Sequence, residues 1–159
     1  MEAIARLPDP FLREDALSLG TVRVADVMHA GVITCGRDLP LTAVAELMTK
    51  HRVHCVVVSG EGAPGEAPPL WGVVSDLDLV AAALVRELGV QTAGGSAASP
   101  LLTITPDETL ERAAQLMTEH AAAHLVVVER SNPVGVLSTL DVAAVLAGAT
   151  VPAPQPDGT

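Results

Sequence analysis

The chain carries the same pattern twice, and this duplication constrains its fold more than any other feature. Gly72-Val-Val-Ser-Asp-Leu-Asp78 in one half is matched by Gly135-Val-Leu-Ser-Thr-Leu-Asp141 in the other. Upstream of each lies a segment with apolar residues at i, i+3, i+4 and i+7: Leu41, Val44, Ala45 and Met48, then Leu110, Ala113, Ala114 and Met117. That spacing is the stripe of an amphipathic helix. The helices are offset by 69 residues (Met48 to Met117) and the glycine motifs by 63 (Gly72 to Gly135), so the second copy is six residues shorter, within one loop. A repeat of this size predicts two half-units that bury a face against each other, with clefts between them that suit a ligand.

The elements read alike in both halves. Residues 32–35 form a short strand and Asp38 caps the helix that starts near Leu41. Residues 54–58 are a buried strand. Residues 60–69, rich in Gly and Pro, form a loop that helix and strand both reject. A strand over 70–74 leads to Ser75, which opens a helix reaching about residue 88. The second half repeats this with a strand at 101–104, a helix started by Pro106-Asp107, and a strand at 124–128. A tight turn at Ser131-Asn132-Pro133, a strand at 134–137 and a helix at 139–147 complete it. Each half is β-α-β-β-α, and the fold class is α/β of the α+β type, with three-stranded sheets covered by helices. The expected boundaries are an N-terminal arm at 1–21, repeats at 22–88 and 101–148, a linker at 89–100 and a disordered Pro-rich tail at 149–159. Residues 22–30 read as a lead-in with one helical turn.

Composition narrows the function. The chain is 49% hydrophobic with one Trp, one Phe and no Tyr, so Val, Leu and Ala build its core. Nineteen acidic against nine basic residues give a formal charge of −10, a field that repels a polyanion and argues against nucleic acid binding. No apolar run approaches the roughly 20 residues of a membrane span. Pro8, Asp9 and Pro10 break any secretory signal, so a soluble cytoplasmic protein is expected. Cys35 and Cys55 read as small buried hydrophobes, with a redox bridge as the alternative if both lie at strand ends in one sheet.

Ser75-x-x-Asp78 and Ser138-x-x-Asp141 fit a helix N-terminal capping box, in which hydroxyl and carboxylate satisfy orphan N–H groups. On spacing alone the cap suffices. A second use is open to the same carboxylate: its oxygens match a ribose 2′,3′-diol, and a helix N-terminus attracts phosphate. Gly72 and Gly135, without side-chain bulk, would leave room near the strand ends.

These residues, in this order, resemble the tandem CBS-domain pair, or Bateman module, over about residues 22 to 148. The doubled Gly-h-h-Ser-x-x-Asp carries the resemblance, together with Met48-x4-Val53-His54-Cys55-Val56-Val57-Val58 and its mirror from Met117 through Ala122, Ala123 and His124 to Val127. Two departures stand out. Val57 and Val126 replace a Pro that many relatives carry, and Thr34-Cys-Gly-Arg37 replaces the Thr-x-x-Pro that is intact at Thr103–Pro106. The resemblance implies two repeats about a pseudo-twofold axis, a homodimer, and adenosine-containing ligands such as AMP, ADP, ATP or S-adenosylmethionine, with no cofactor required. It also implies shared clefts. One combines Val136, Ser138 and Asp141 with Ala30, Val53, His54 and Cys55. The other combines Val73, Ser75 and Asp78 with Ser99, Ala122, Ala123 and His124. The Asp residues would hold ribose, backbone groups at the strand starts the adenine edge.

The copies differ in their neighbours. Lys50 and Arg52 precede the first buried strand, whereas alanines precede the second, so the Asp141 cleft is expected to be the phosphate-competent one, with Lys50 and Arg52 neutralising charge. The pairs His51/His54 and His120/His124 straddle helix–strand junctions, which argues against a metal site. No nucleophile–base constellation is legible, so no catalytic residues are assigned. The expected function is a stand-alone regulatory protein that binds an adenosyl ligand and signals in trans to an unknown protein partner. The alternative is a dimeric scaffold whose Ser-x-x-Asp motifs are only caps.

Overall fold

The structure, a computed structural model, describes residues 19–66, 68–97 and 101–148 of the 159-residue chain. The expected arm up to residue 18, Ser99 in the linker and the tail at 149–159 lie outside the described residues. In chain order, α1 (Val24–Val27) and β1 (His29–Ala30) come first. The first repeat follows as β2 (Thr34–Gly36), α2 (Leu41–His51), β3 (Cys55–Ser59), β4 (Leu70–Ser75) and α3 (Asp76–Val85). A 3-10 turn (Leu88–Val90) and α4 (Ala93–Ser96) lead to the second repeat. That repeat is β5 (Thr103–Ile104), α5 (Leu110–Glu119), β6 (His124–Glu129), β7 (Asn132–Ser138) and α6 (Thr139–Leu146). The β-α-β-β-α order thus holds in both halves.

One sheet has the expected three strands, ordered β2-β3-β4, and the other has four, ordered β1-β7-β6-β5. The extra strand is the lead-in: β1 runs antiparallel to β7, with His29 opposite Val136 and Ala30 opposite Gly135. The glycine permits it. A Cβ at Gly135 would stand 2.6 Å from the His29 carbonyl oxygen and 2.9 Å from Met28 Sδ. The space that the sequence suggested Gly135 leaves open is therefore filled by the chain's own backbone.

The lead-ins are exchanged between the halves. Arg23 bridges Thr109, and the Val24 and Ala25 N–H groups donate to Glu108 and Pro106 carbonyls of the second repeat. Sixty-nine residues on, Thr92 bridges Pro40, and the Ala93 and Gly94 N–H groups donate to Leu39 and Arg37 of the first repeat. The same pattern at the same offset on opposite halves is the pseudo-twofold relation expressed in hydrogen bonds. Trp71 reinforces the second contact set: its Nε1–H donates to the Gly94 carbonyl at 3.1 Å, and the Arg37 guanidinium lies 3.8 Å from its ring centre.

This exchange explains one departure from expectation. Asp38 does not cap α2. Pro40 holds the N-cap position without a side-chain bond, and the Leu41 N–H instead donates to the Gln91 carbonyl of the linker. Helix α5 begins later than Pro106-Asp107, with Thr109 as its cap, its Oγ1 accepting from the Arg112 N–H. The turn before β7 is Arg130-Ser131, both at positive φ (51° and 67°), and Asn132 and Pro133 already belong to the strand. Pro133 is tolerated there because the ladder shifts register beside it.

Each half has its own core. Leu41, Val44 and Met48 of α2 pack with Val56, Val58 and Val74, and Ala93 from the linker completes the set. Leu110, Ala113 and Met117 pack with Leu125, Val127 and Leu137, completed by Val24 from the lead-in. Strand residues alternate faces, so Val57 and Val126 point away from these cores, yet both are fully buried. His124 shares the face of Val126 and lies within electrostatic reach of His54, Asp76 and Asp78. The second face of each sheet is therefore turned toward the other repeat, and no side-chain polar atom is left buried without a partner among the described residues.

Candidate functional site

That inward face carries most of the residues expected to line the clefts. On β3 and β4, Cys55 sits opposite Ser75 and Val57 opposite Val73. On β6 and β7, His124 sits opposite Ser138 and Val126 opposite Val136. The helix that follows each motif is tied to the neighbouring strand start, since the Asp76 N–H donates to the His54 carbonyl and the Thr139 N–H to that of Ala123. Ala122 and Ala123 lie just before β6, and Val53 and His54 just before β3.

Both capping boxes are complete and geometrically alike. In each, the serine N–H and Oγ–H donate to the same aspartate oxygen, Oδ2, at 2.8 and 2.9 Å, and the aspartate N–H returns a bond to Oγ at 3.2 Å. The cap therefore uses one carboxylate oxygen and leaves Oδ1 outside it. On Asp141, Oδ1 lies 3.0 Å from His29 Nε2. Among the described residues no bond is found to Oδ1 of Asp78. The serine hydroxyls are committed to the caps, so neither is set up as a nucleophile.

His54 Nδ1–H donates to Asp76 Oδ2 at 3.1 Å, at the start of the helix that carries Asp78. Asp76 has no charged counterpart in the second motif, where Thr139 stands in its place. Ala30 is brought to β7, the strand that leads into Asp141's helix, by pairing with Gly135. No hydrogen bond or ion pair among the described residues joins Asp141 to Val53, His54 or Cys55. Lys50 and Arg52 stand exposed at the end of α2, with Arg52 closing the helix in the left-handed region at φ 53°. His29 and Asp76 were not among the residues singled out from sequence. His29 precedes Ala30 and Asp76 lies inside the motif, but neither has a periodic or spacing signature.

Burial shapes the titrating groups. It lowers the pKa of His124, a shift opposed by the nearby Asp76 carboxylate. Burial, and secondarily Asp76, pushes the Cys55 thiol up to about 11, and burial raises that of Cys35. Both cysteines are free and buried. They share a sheet, but Cys35 pairs with Val58. Cys55 is three positions further along β3, roughly 10 Å away, beyond the ~7 Å between Cα atoms that a disulfide spans. That separation excludes the alternative of a redox bridge and leaves both cysteines as small buried hydrophobes. Among the described residues no three His, Cys, Asp or Glu side chains are placed to share a metal ion, and no helix is long and apolar enough to cross a membrane.

Two α+β repeats with exchanged lead-ins, each with its helix-capping Asp at the end of the inward-facing strand, define a tandem-repeat protein. The CBS domain family model matches residues 24–85 and 96–148, and the chain belongs to that family. Hypoxic response protein 1 of Mycobacterium tuberculosis is 27% identical over 120 residues, covering 74% of this chain and 80% of that protein. The CBS domain-containing protein YhcV of Bacillus subtilis is 29% identical over 121 residues, covering 76% and 82%. Among solved structures, the CBS domain pair of protein MJ0100, in complex with 5′-methylthioadenosine and S-adenosyl-L-methionine, has the same fold, with a TM-score of 0.69 at 20% identity, covering 81% of this chain and 98% of that one. Hypoxic Response Protein I, with two coordinated zinc ions, gives a TM-score of 0.62 at 25% identity, covering 77% and 97%.

Proposed function

We propose that this chain is a regulatory CBS pair that binds an adenosine-containing ligand (AMP, ADP, ATP or S-adenosylmethionine) between its repeats and signals to a protein partner in trans. The observation that carries this reading is the division of labour within each carboxylate. Oδ2 holds the helix cap, so a ribose hydroxyl can bind Oδ1 without loss of the helix start. Cap and ligand contact are compatible uses of one side chain. The inward-facing Val73 and Val136 would flank the base, with Ser75 and Ser138 beside the sugar and backbone groups at Val53–Cys55 and Ala122–His124 meeting the adenine edge. The MJ0100 pair, with two adenosyl compounds bound to the same fold, supports the ligand class.

The clefts are unequal. Asp76 adds a second carboxylate beside Asp78, whereas Thr139 adds none beside Asp141. The Asp141 cleft is therefore assigned the phosphate-bearing ligand, with Lys50 and Arg52 as candidate counter-charges, and the Asp78 cleft a less anionic one. The protein works in the cytoplasm, where its two thiols stay reduced, and it catalyses no reaction. Leu77, Val80 and Leu84 form an exposed stripe on α3, at 73, 62 and 86% exposure, which is assigned to a second copy in a homodimer.

Thermal shift with AMP, ADP, ATP, S-adenosylmethionine and NAD tests the reading. A ligand at 100 times its dissociation constant adds about 2.7 kcal/mol to stability, and Asp141→Ala should abolish the nucleotide response. A flat panel refutes ligand sensing and leaves the scaffold alternative, with the Ser-x-x-Asp motifs as caps alone.

A further inference from the structure

We propose that His29 is a built-in competitor for the ligand at the Asp141 cleft, a device that the described residues do not repeat at the Asp78 cleft. The inference rests on the adenosyl-ligand reading above. An ionised carboxylate only accepts hydrogen bonds, so the imidazole Nε2–H donates to Asp141 Oδ1 across 3.0 Å. Oδ2 is held by the Ser138 N–H and hydroxyl at 2.8 and 2.9 Å. The oxygen on which a ribose hydroxyl must land is thus the one His29 already occupies.

The geometry lets the imidazole leave while its backbone stays. His29 is held opposite Val136 by the β1–β7 pairing, its carbonyl lies against Gly135, and the Gly31 N–H donates to the Val134 carbonyl at 2.9 Å. Its side chain is 78% exposed, whereas that of Asp141 is 11% exposed. A rotation about the side-chain bonds vacates Oδ1 with no movement of the strand, and the released ring is solvated. The ligand must therefore offer Oδ1 a better donor than an exposed imidazole, which a vicinal diol aimed at one carboxylate does. A molecule with a single hydroxyl gains little by the exchange.

Among the described residues the second cleft lacks this device. The position related to His29 by the 69-residue repeat is Ala98, whose methyl side chain has no donor to offer Asp78. Among the described residues, then, no side chain has to leave Asp78, whereas the Asp141 cleft takes ligand only in exchange for His29.

Calorimetric titration of AMP into Asp78→Ala and into Asp78→Ala/His29→Ala reads the Asp141 cleft alone. Removing the competitor should tighten AMP binding roughly threefold to tenfold, the worth of one hydrogen bond from an exposed donor to a carboxylate. His29→Gln in the same background, whose amide can donate to Oδ1, should stay within about twofold of the parent. Binding that is unchanged or weaker in His29→Ala, while Asp141→Ala abolishes it, overturns the competitor and leaves the ligand reading standing. AMP that binds none of these proteins overturns both. Because loss of a merely structural side chain weakens binding, the sign of the change separates the two roles.

Discussion

Gly135→Ala tests the exchange of the lead-in at its tightest point. The added Cβ would stand 2.6 Å from the His29 carbonyl oxygen, an atom of rigid backbone, and 2.9 Å from Met28 Sδ, an atom of a flexible side chain. The thioether can turn aside, but the carbonyl must retreat by roughly 0.7 Å to reach an ordinary carbon–oxygen contact of about 3.3 Å. That retreat strains the His29–Val136 and Ala30–Gly135 pairs and the bond from the Gly31 N–H to Val134. The lead-in does not come away entirely, because Val24 is fully buried in the second core and Val22, Val27 and Met28 pack beside it. The expected cost is that of overpacking, about 1–3 kcal/mol. For a domain of this size that lowers Tm by roughly 2–12 °C. Gly36→Ala is the control: a Cβ there meets nothing within 4 Å, and stability should move by no more than about 0.5 kcal/mol. Differential scanning calorimetry of both variants decides. If Gly135→Ala falls no further than Gly36→Ala, the lead-in is not held against β7 as described.

Two further outcomes follow from backbone and burial. Ser131→Gly should stabilise the protein by about 0.5–1 kcal/mol, because Arg130 and Ser131 form a two-residue hairpin turn at φ 51° and 67°, a conformation glycine adopts without strain. A lower urea midpoint for the variant would contradict this. His124, whose folded pKa is depressed mainly by burial, must shed its proton to fold. The unfolded chain then binds more protons, so stability falls as pH drops below the unfolded value of about 6.5 and levels off below the folded one. Tm measured from pH 7.5 to 5 should decline more steeply in the parent than in His124→Asn, and parallel curves would refute the assignment.

Much of this architecture was legible in the residues because it is written in local rules. The stripes Leu41–Met48 and Leu110–Met117 are helices, the runs after Val53 and Ala123 are central strands, and the Ser-x-x-Asp spacing is a capping box in both copies. Where local reading failed, a distant segment had supplied the partner. Asp38 is not a cap because the Gln91 carbonyl, fifty positions on by sequence number, already accepts from the Leu41 N–H. The Ser131-Asn132-Pro133 turn moved back one residue because the ladder tolerates Pro133 at a register shift.

The duplication, the order of elements and the two Ser-x-x-Asp caps were determined by sequence alone, since periodicity and a bond across three residues act within a few positions of chain. Tertiary structure decided which half each lead-in joins, the fourth strand, and the meeting of His29 with Asp141. Those contacts link residues as far apart as Arg23 and Asp107, separated by 84 positions. No local pattern encodes such a pairing. It is selected by the burial of Val24 and Ala93 in opposite cores and by a glycine whose missing side chain lets two backbones touch.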